Sequence, residues 1–288
     1  MTSTTAITRN QLHSFTSSNV TSQDGTLIGY QSIGNGPGVI IIPGALSTSN
    51  EFTSFARELS DSFTAHVIDR RGRGNSGPQG KAYSIIKECE DLKALQEETG
   101  ATYLFGHSYG GLVALETART HSSFTKIALY EPGVSIQSEA LDWNWITEYE
   151  TAMDKQDFRG AFTSFARGSG HTPLNKFPKW YASFMLRLFV RGDHWHQIQK
   201  LLPENLNEHR EVRRLENTFS NYQTVLADLL LLSGQKSPAF VHQMIDVLDQ
   251  TIAHTQTMKL PKLHHLSPEN EHSPLVVARA VKDYFLNK

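Results

Sequence analysis

A serine flanked by glycines, between a strand pattern and a helix pattern, constrains this chain more than any other feature. Residues 106–110 read Gly-His-Ser-Tyr-Gly, with an apolar run at residues 102–105 before them and a helical pattern at residues 112–116 after them. A serine on such a tight strand-to-helix turn has a strained backbone that points its hydroxyl away from the sheet, and small neighbours prevent clashes. The pattern therefore predicts that Ser108 is a nucleophile.

The length and composition fit one large α/β domain, or a domain with a substantial insertion. The chain has 288 residues, of which 39% are hydrophobic, and its formal net charge is −2. This charge gives no electrostatic argument for binding nucleic acid or an anionic membrane. The single cysteine, Cys89, cannot form an internal disulfide, so a reducing, cytoplasmic location is expected. No apolar run is long enough to span a bilayer, and residues 1–10 are expected to be a flexible terminus without a signal peptide.

Short β-branched runs alternate with longer helical patterns, as is typical of parallel strands joined by crossover helices. Strand patterns lie at residues 26–33, 39–42, 64–69, 102–107, 126–130, 226–232 and 255–260, and a final helix is predicted at 274–286. Residues 138–222 show no convincing strand and contain all four tryptophans. The sequence therefore predicts a core domain of residues 11–137 and 223–288, interrupted by a helical cap of residues 138–222.

Three segments, in their order and spacing, resemble the α/β-hydrolase fold superfamily. Residues 42–45 (Ile-Pro-Gly-Ala) occupy the place of a turn after that family's third strand, and residues 69–76 (Asp-Arg-Arg-Gly-Arg-Gly-Asn-Ser) match its D-x-R-G-x-G-x-S loop. The third segment is the turn at Ser108. The resemblance implies a mostly parallel eight-stranded sheet flanked by helices, with a helical cap inserted after strand six. It also implies a serine hydrolase, resembling carboxylesterases, that needs no metal or organic cofactor.

Residues 72–77 also read G-x-G-x-x-G, the pattern of a dinucleotide-binding loop. Such a loop turns directly from a strand into a helix, so that the first amides of the helix face the phosphates. Here Asp69, Arg70 and Arg71 separate the strand from the glycines, and Pro78 follows where the helix should run. The sequence therefore favours the hydrolase interpretation over nucleotide binding.

A serine hydroxyl needs an adjacent base to accept its proton. The chain has 13 histidines, and residues 260–268 follow the last strand pattern, where the resemblance implies an L-P-x-x-G-H motif that supplies the base. In that register His265 is the base, while His264 occupies a glycine position and remains the alternative. His107 is expected to pack beside the nucleophile, because it cannot easily reach round to the hydroxyl of its neighbour.

The resemblance implies an acid in the loop after the seventh strand, but that loop reads Gly-Gln-Lys-Ser-Pro at residues 234–238. Ser237 fills the acid's position and cannot carry the charge that stabilises an imidazolium. Glu131 ends the strand that follows the nucleophile, where the haloalkane dehalogenases of this fold have their acid. We therefore predict that Glu131 completes the triad, with a salt bridge to Arg70 or Arg71 as the alternative role.

Other assignments of the acid and of the function remain open at this point. Asp246 and Asp249 compete with Glu131, but they lie in a helical pattern and are expected to face solvent. Without a carboxylate near His265, the chain would be a non-catalytic small-molecule receptor of the same fold. Lactonase, thioesterase, carbon–carbon hydrolase and cofactor-free haloperoxidase activities share the triad, whereas haloalkane and epoxide chemistry would need an aspartate at position 108.

Stabilisation of the oxyanion requires two backbone N–H groups that point at the developing charge. The resemblance implies that these are the amides of Ala45 and Tyr109. Residues 193–196 (Asp-His-Trp-His) could suggest a metal site, but side chains two positions apart on a helix diverge, so no metal is expected.

The expected partner of the chain is a small-molecule substrate, with a small or medium apolar acyl or alcohol part. Aromatic residues of the cap recur at helical spacing, and most are expected to form the cap's own core while a few line a pocket. They are Trp143, Trp145, Phe162, Phe165, Trp180, Tyr181 and Phe184.

Overall fold

The computed structural model describes residues 14–136 and 143–287. The predicted flexible terminus, residues 1–10, and the first residues of the predicted cap, 138–142, lie outside these ranges. None of the helices within the described ranges combines the length and the apolar character needed to cross a membrane.

Eight strands form one sheet in the order β1-β2-β4-β3-β5-β6-β7-β8. The strands are β1 (Thr16–Thr21), β2 (Leu27–Gly34), β3 (Gly38–Ile42), β4 (Thr64–Ile68), β5 (Tyr103–His107), β6 (Lys126–Tyr130), β7 (Asp228–Gly234) and β8 (Thr255–Leu260). Strand β2 pairs antiparallel with β1 and with β4, and every other pairing is parallel. The predicted eight-stranded, mostly parallel sheet is confirmed.

Helices cover both faces of this sheet. The helices are α1 (Thr53–Leu59), α2 (Ile85–Thr99), α3 (Tyr109–Thr120), α4 (Asn144–Asp154), α5 (Phe158–Gly168), α6 (Lys179–Phe189), α7 (Gly192–Arg214), α8 (Ala239–Thr251) and α9 (Pro274–Leu286). Short 3-10 turns lie at Ser49–Phe52, Pro173–Lys176 and Phe219–Thr224. Strand β8 and helix α9 have the bounds that the sequence predicts, whereas β7 begins two residues later than predicted.

Strand β3 illustrates why the sheet is central. Its residues Val39, Ile40, Ile41 and Ile42 are all buried, as expected for a β-branched run in a parallel sheet that is covered on both faces. Val39 and Ile41 belong to the core formed with α1 and α9, and Ile40 and Ile42 belong to the core formed with α2, α3 and α8. Complete burial of each side chain contributes about 1.5–3 kcal/mol to the stability of the fold. The strand therefore helps to hold the helices on both faces of the sheet.

Helices α4–α7 (residues 144–214), here called the helical layer, lie between β6 and β7 in the chain. They have a core of their own, which includes Trp145, Tyr149 and Phe162. Two aromatics depart from the expected burial, because Trp180 is 72% and Phe184 is 58% exposed. Helix α6, which carries both, buries only Ala182. Its aromatic residues therefore lie on the outer surface of the helical layer.

Candidate active site

The backbone at Ser108 has the strained turn that its neighbours predict. Ser108 lies between β5 and α3 with φ 52° and ψ −122°. Residues other than glycine rarely adopt this backbone conformation. A Cβ atom on Gly106 would lie 2.7 Å from the Cα of Gly111, and one on Gly110 would clash with the carbonyl oxygen of Ile42. The glycines therefore allow α3 to start directly against β5 and β3, with the serine at the turn.

The side chains of Ser108, His265 and Glu131 lie in hydrogen-bonding contact. His265 Nε2 is 3.1 Å from Ser108 Oγ, and His265 Nδ1 is 2.8 Å from Glu131 Oε2. A carboxylate can only accept, so Nδ1 carries the proton and Nε2 presents its lone pair to the serine hydroxyl. The structure thus brings the three predicted residues into one hydrogen-bonded series, here called the relay, at the ends of two neighbouring strands and in the loop before α9.

Glu131 is held by its backbone and by its second carboxylate oxygen. It follows β6 in a left-handed conformation, with φ 46°, and is 1% exposed. Oε1 accepts a hydrogen bond of 2.8 Å from the backbone N–H of Gly234 and another from the hydroxyl of Ser237. The alternative salt bridges do not form, because Arg70 and Arg71 pair with other carboxylates.

The loop before α9 selects His265 rather than His264. Tyr130 donates a hydrogen bond of 2.9 Å to the carbonyl oxygen of His264, and His107 Nε2 donates one of 2.8 Å to the carbonyl oxygen of His265. These two bonds fix the peptide units before and after His265. Only His265 then directs its ring toward Ser108. Of the two candidate bases, His265 is the one that the structure brings into contact with Ser108, and it remains the predicted base.

The other candidate groups are not in hydrogen-bonding contact with Ser108, His265 or Glu131, although His194 lines the same cavity. Asp246 and Asp249 are exposed on α8, as expected, and Asp249 accepts a hydrogen bond from the hydroxyl of Thr255. His194 and His196 lie in the first turns of α7, and within the described residues they belong to no cluster of possible metal ligands. None of these side chains contacts the relay.

His171, a residue of the helical layer, lies against the relay and was not predicted from the sequence. Its ring stacks on that of His265, with centroids 3.7 Å apart and an interplanar angle of 22°. His171, His265 and Glu131 each offer a possible metal-ligand atom, all within 4.8 Å of one another. Imidazole lone pairs lie in the ring plane, and stacked planes cannot both contain one ion. The cluster therefore does not fit a metal centre.

Burial keeps the histidines of the site neutral. It lowers the pKa of His265 below its ordinary value of 6.5, and neighbouring His264 lowers it further. Burial also lowers the pKa of His107 to about 3 and that of His171 well below 6.5, with His265 adding to both shifts. At neutral pH the imidazole of His265 is therefore free to accept a proton.

The predicted oxyanion donors Ala45 and Tyr109 both line the cavity above Ser108. In the part of the chain that the structure describes, neither backbone amide donates to a protein acceptor. Tyr109 is the first residue of α3, where N–H groups have no partner within the helix. Both amides are therefore available to a ligand oxygen beside Ser108.

Two buried guanidiniums hold the loop that carries Ala45. Arg70 donates to the carbonyl oxygens of Pro43 and Gly44 at 3.0 and 2.9 Å, and Arg73 donates to that of Gly44 at 3.3 Å. Both arginines belong to the D-x-R-G-x-G-x-S segment. By binding the carbonyl groups from beneath, they fix the orientation of the peptide units that precede Ala45.

Glu208, from α7, supplies the counter-charge for both arginines. Its Oε1 atom is 3.0 Å from Arg70 Nη1 and forms a closer ion pair with Arg73. Glu88 is a second partner of Arg70, at 2.9 Å. Glu208 is 0% exposed, so a fully buried ionic contact joins the helical layer to the loop beneath the cavity.

The G-x-G-x-x-G segment packs around a carboxylate rather than opening a helix. The next helix, α2, begins only at Ile85. Asp69 accepts hydrogen bonds from the backbone N–H groups of Ser49, at 2.8 Å, and Asn75, at 2.9 Å. A Cβ atom on Gly74 would collide with this carboxylate. Gly74 thus makes room for the Asp69 side chain, and the segment lacks the strand-to-helix turn of a dinucleotide site.

A cavity of about 440 Å³ lies between the sheet and the helical layer, above Ser108. This volume is within the usual range for small-molecule sites. Its apolar lining includes the aromatic residues Trp143, Trp145, Phe162, Phe165 and Phe240. None of the described lining residues is a lysine or an arginine. The cavity therefore suits a largely apolar small molecule.

The model of the family described as alpha/beta hydrolase fold matches residues 37–272 of this chain. Among solved structures, one described as an alpha/beta hydrolase from Sphaerobacter thermophilus is similar, with a TM-score of 0.80 and 24% sequence identity. The alignment covers 93% of this chain and 100% of the other. At this level of identity, the likeness shows a shared fold.

Two curated relatives match parts of the chain. The hydrolase YraK of Bacillus subtilis, described as uncharacterized, is 27% identical over 134 residues, which are 45% of this chain and 49% of that protein. A 2-(acetamidomethylene)succinate hydrolase of Mesorhizobium japonicum is 29% identical over 112 residues, 38% of this chain and 40% of that protein. The chain thus matches about half or less of the length of either relative.

Proposed function

Because this chain belongs to the α/β-hydrolase fold family, we propose that it is a serine hydrolase that cleaves a carboxylic ester or a related acyl compound. The observation that carries the proposal is the relay from Glu131 through His265 to Ser108, with separations of 2.8 and 3.1 Å. The same arrangement activates serine nucleophiles on several unrelated folds.

In the acylation half of the reaction, Ser108 Oγ attacks the substrate's carbonyl carbon while His265 Nε2 takes the hydroxyl proton. The carbonyl oxygen becomes an oxyanion and accepts hydrogen bonds from the amides of Ala45 and Tyr109. The carbonyl then re-forms, the bond to the leaving alcohol oxygen breaks, and His265 gives its proton to that oxygen. The products of this half are a free alcohol and an ester of Ser108.

In the deacylation half, a water molecule replaces the alcohol. His265 Nε2 takes a proton from the water as its oxygen attacks the acyl carbon, and returns that proton to Ser108 Oγ when the acyl–enzyme bond breaks. Glu131 holds the imidazole in the required tautomer and stabilises the imidazolium in both halves. The carboxylic acid product leaves, and the free serine is restored.

The non-catalytic receptor interpretation depends on the absence of a carboxylate near His265. Glu131 Oε2 lies 2.8 Å from His265 Nδ1, which supports the hydrolase. The apolar, aromatic lining of a cavity of about 440 Å³ supports substrates with small or medium apolar parts. A series of p-nitrophenyl esters of increasing chain length tests this, and a preference for long or anionic acyl chains contradicts it.

A fluorophosphonate probe tests the nucleophile directly. The proposal expects covalent labelling of the native protein and loss of labelling in Ser108→Ala. Ser17→Ala, which alters an exposed serine of β1, serves as the matched control and should label like the native protein. Folded protein that resists the probe would count against catalysis by Ser108.

A further inference from the structure

One carboxylate in the cavity has no part in the proposed triad. Glu269 lies four residues after His265 and lines the cavity, with its side chain 17% exposed. The hydroxyl of Ser47 donates a hydrogen bond of 2.7 Å to Glu269 Oε1. His107 Nδ1 lies 4.0 Å from the same oxygen.

The group that faces Glu269 is also a hydrogen-bond acceptor. His107 uses Nε2 to donate to the carbonyl oxygen of His265, so in the neutral ring Nδ1 carries a lone pair. His107 is 1% exposed, and its Nδ1 atom has no hydrogen-bond partner among the residues that the structure describes. Two acceptors, Glu269 Oε1 and His107 Nδ1, thus lie 4.0 Å apart at the wall of the cavity, and the described residues place no donor between them.

No fixed positive charge compensates for Glu269. The described lining residues include no lysine or arginine. Within the described chain, His107 is the only possible cation within ion-pair range of Glu269, and burial keeps it neutral by lowering its pKa to about 3. A carboxylate that is largely removed from water without a counter-ion is costly. A cationic ligand with several N–H donors would remove this cost and satisfy both acceptors.

We propose that Glu269 and His107 bind a protonated amine on the acyl or alcohol part of the substrate. The proposal rests on the proposed hydrolase function and narrows its substrates to amine-bearing esters or related acyl compounds. Since His107 immediately precedes Ser108, the amine lies within a few bonds of the carbonyl that is attacked. Substrates that carry a carboxylate at this position face Glu269 and are rejected.

Matched esters separate charge from shape. The acyl set comprises β-alanine methyl ester, methyl butanoate and monomethyl succinate, which place an ammonium, a methyl group or a carboxylate at the same end. The alcohol set comprises dimethylaminoethyl butanoate and isopentyl butanoate, which differ by N–H⁺ in place of C–H. Hydrolysis is followed by titration of the released acid at about pH 8, where carboxylates are ionised.

We expect kcat/KM for the amine ester to exceed that of its neutral isostere about tenfold or more in at least one set, as for a charge-assisted hydrogen bond in a partly buried site. Monomethyl succinate should be the poorest acyl substrate. Glu269→Gln keeps an acceptor for Ser47 but loses the charge, and should bring the amine-to-isostere ratio to about one. Glu98→Gln, on an exposed residue of α2, is the control and should keep the native ratio.

Two results overturn the inference. One is an amine-to-isostere ratio near one in the native protein for both sets. The other is an equal loss on amine and neutral esters in Glu269→Gln, which would mean that Glu269 only supports the loop of Ser47. If the fluorophosphonate probe labels the protein but the amine-to-isostere ratio is near one, this inference is refuted while the proposed hydrolase function stands.

The inference can also be tested without turnover. Calorimetric titration of Ser108→Ala with β-alanine methyl ester and methyl butanoate compares binding of the two ligands directly. Tighter binding of the amine, lost in the double variant with Glu269→Gln, supports the site even if no ester is cleaved. Equal binding of the two ligands refutes it.

Discussion

Ser237 donates its hydroxyl hydrogen bond to Oε1 of Glu131, while Oε2 of the same carboxylate faces His265 Nδ1 at 2.8 Å. In relatives with the usual arrangement, the position of Ser237 supplies the acid itself. Here the serine instead fixes the orientation of an acid that comes from the neighbouring strand. The amide of Gly234, 2.8 Å from Oε1, adds a second donor. Ser237 is therefore linked to His265 through the Glu131 carboxylate.

Removing the charge of Glu131 should affect catalysis far more than removing the hydroxyl of Ser237. Glu131→Gln should lower kcat by about two to four orders of magnitude, because His265 loses its orientation and its counter-charge. Ser237→Ala removes one of two donors to Oε1 and should cost much less. Steady-state kinetics on one ester, with circular dichroism to verify folding, give the comparison.

The order of these two effects is the decisive result. A crippled Ser237→Ala beside a nearly native Glu131→Gln would show that the acid is assigned to the wrong residue. The double variant Glu131→Gln with Ser237→Asp returns a carboxylate to the usual position. It should recover part of the activity lost in Glu131→Gln.

The pH dependence of kcat/KM should show a base that stays neutral under mildly acidic conditions. Burial lowers the pKa of His265 below 6.5, and the base acts only when unprotonated. Activity is therefore lost as the pH falls through this lowered pKa, and the acidic limb should lie below pH 6.5. The facing groups are Glu131, His264, His107 and His171. A neutral ester assayed in constant ionic strength buffers tests this, and an acidic limb above pH 6.5 contradicts it.

Selectivity for an amine should increase with pH. Burial raises the pKa of Glu269 to about 7, with Glu51 and Glu271 adding to the shift and the hydrogen bond from Ser47 opposing it. Above this pH the carboxylate is charged and attracts the ammonium, and below it the attraction fades. His107, the other facing group, stays neutral throughout because its pKa is about 3.

The measurement is the ratio of kcat/KM for β-alanine methyl ester to that for methyl butanoate, taken at several pH values around 7. The ratio should rise through this range in the native protein and stay level in Glu269→Gln. Taking a ratio cancels the titration of His265, which affects both esters equally. A native ratio that does not change with pH would argue against control by Glu269.

Glu208→Gln should destabilise the fold strongly. The substitution leaves the guanidinium of Arg73, and part of that of Arg70, buried without its counter-charge. Breaking a buried ion pair in this way costs about 3–5 kcal/mol in the free energy of unfolding. Glu150→Gln, which breaks an exposed pair with Arg210, is the control and should cost about 1 kcal/mol or less. Urea unfolding measures both, and equal midpoints for the two variants would refute the prediction.

Local sequence patterns were enough to predict much of the fold and part of the candidate site. The bounds of β8 and α9 follow from their own periodicity, and the turn at Ser108 from glycines within two positions of it. Glu131 could be proposed because the haloalkane dehalogenases, which the chain resembles in fold, have their acid at the end of the same strand. The resemblance then limited the base to two adjacent histidines, and only the hydrogen bonds to their carbonyl oxygens distinguish them.

Contacts between distant segments could not be predicted where the family resemblance says nothing about them. Glu208 is 138 positions from Arg70, and it lies in a helix whose other charges look like a solvated face. His171 has no local pattern that separates it from the other histidines of the helical layer. The exposure of Trp180 and Phe184 depends on how α6 packs, which the spacing of aromatic residues does not determine.

The buried link between Glu208 and the two arginines also limits how this protein can be recombined. Loops and helices above the sheet are natural units to exchange when a hydrolase is engineered for new substrates. A helical layer taken from another hydrolase must supply a carboxylate at the position of Glu208. Otherwise the segment that contains Arg70 and Arg73 must be exchanged together with it. A chimera that exchanges only the helical layer should therefore take Arg70, Arg73 and the acid that pairs with them from the same parent protein.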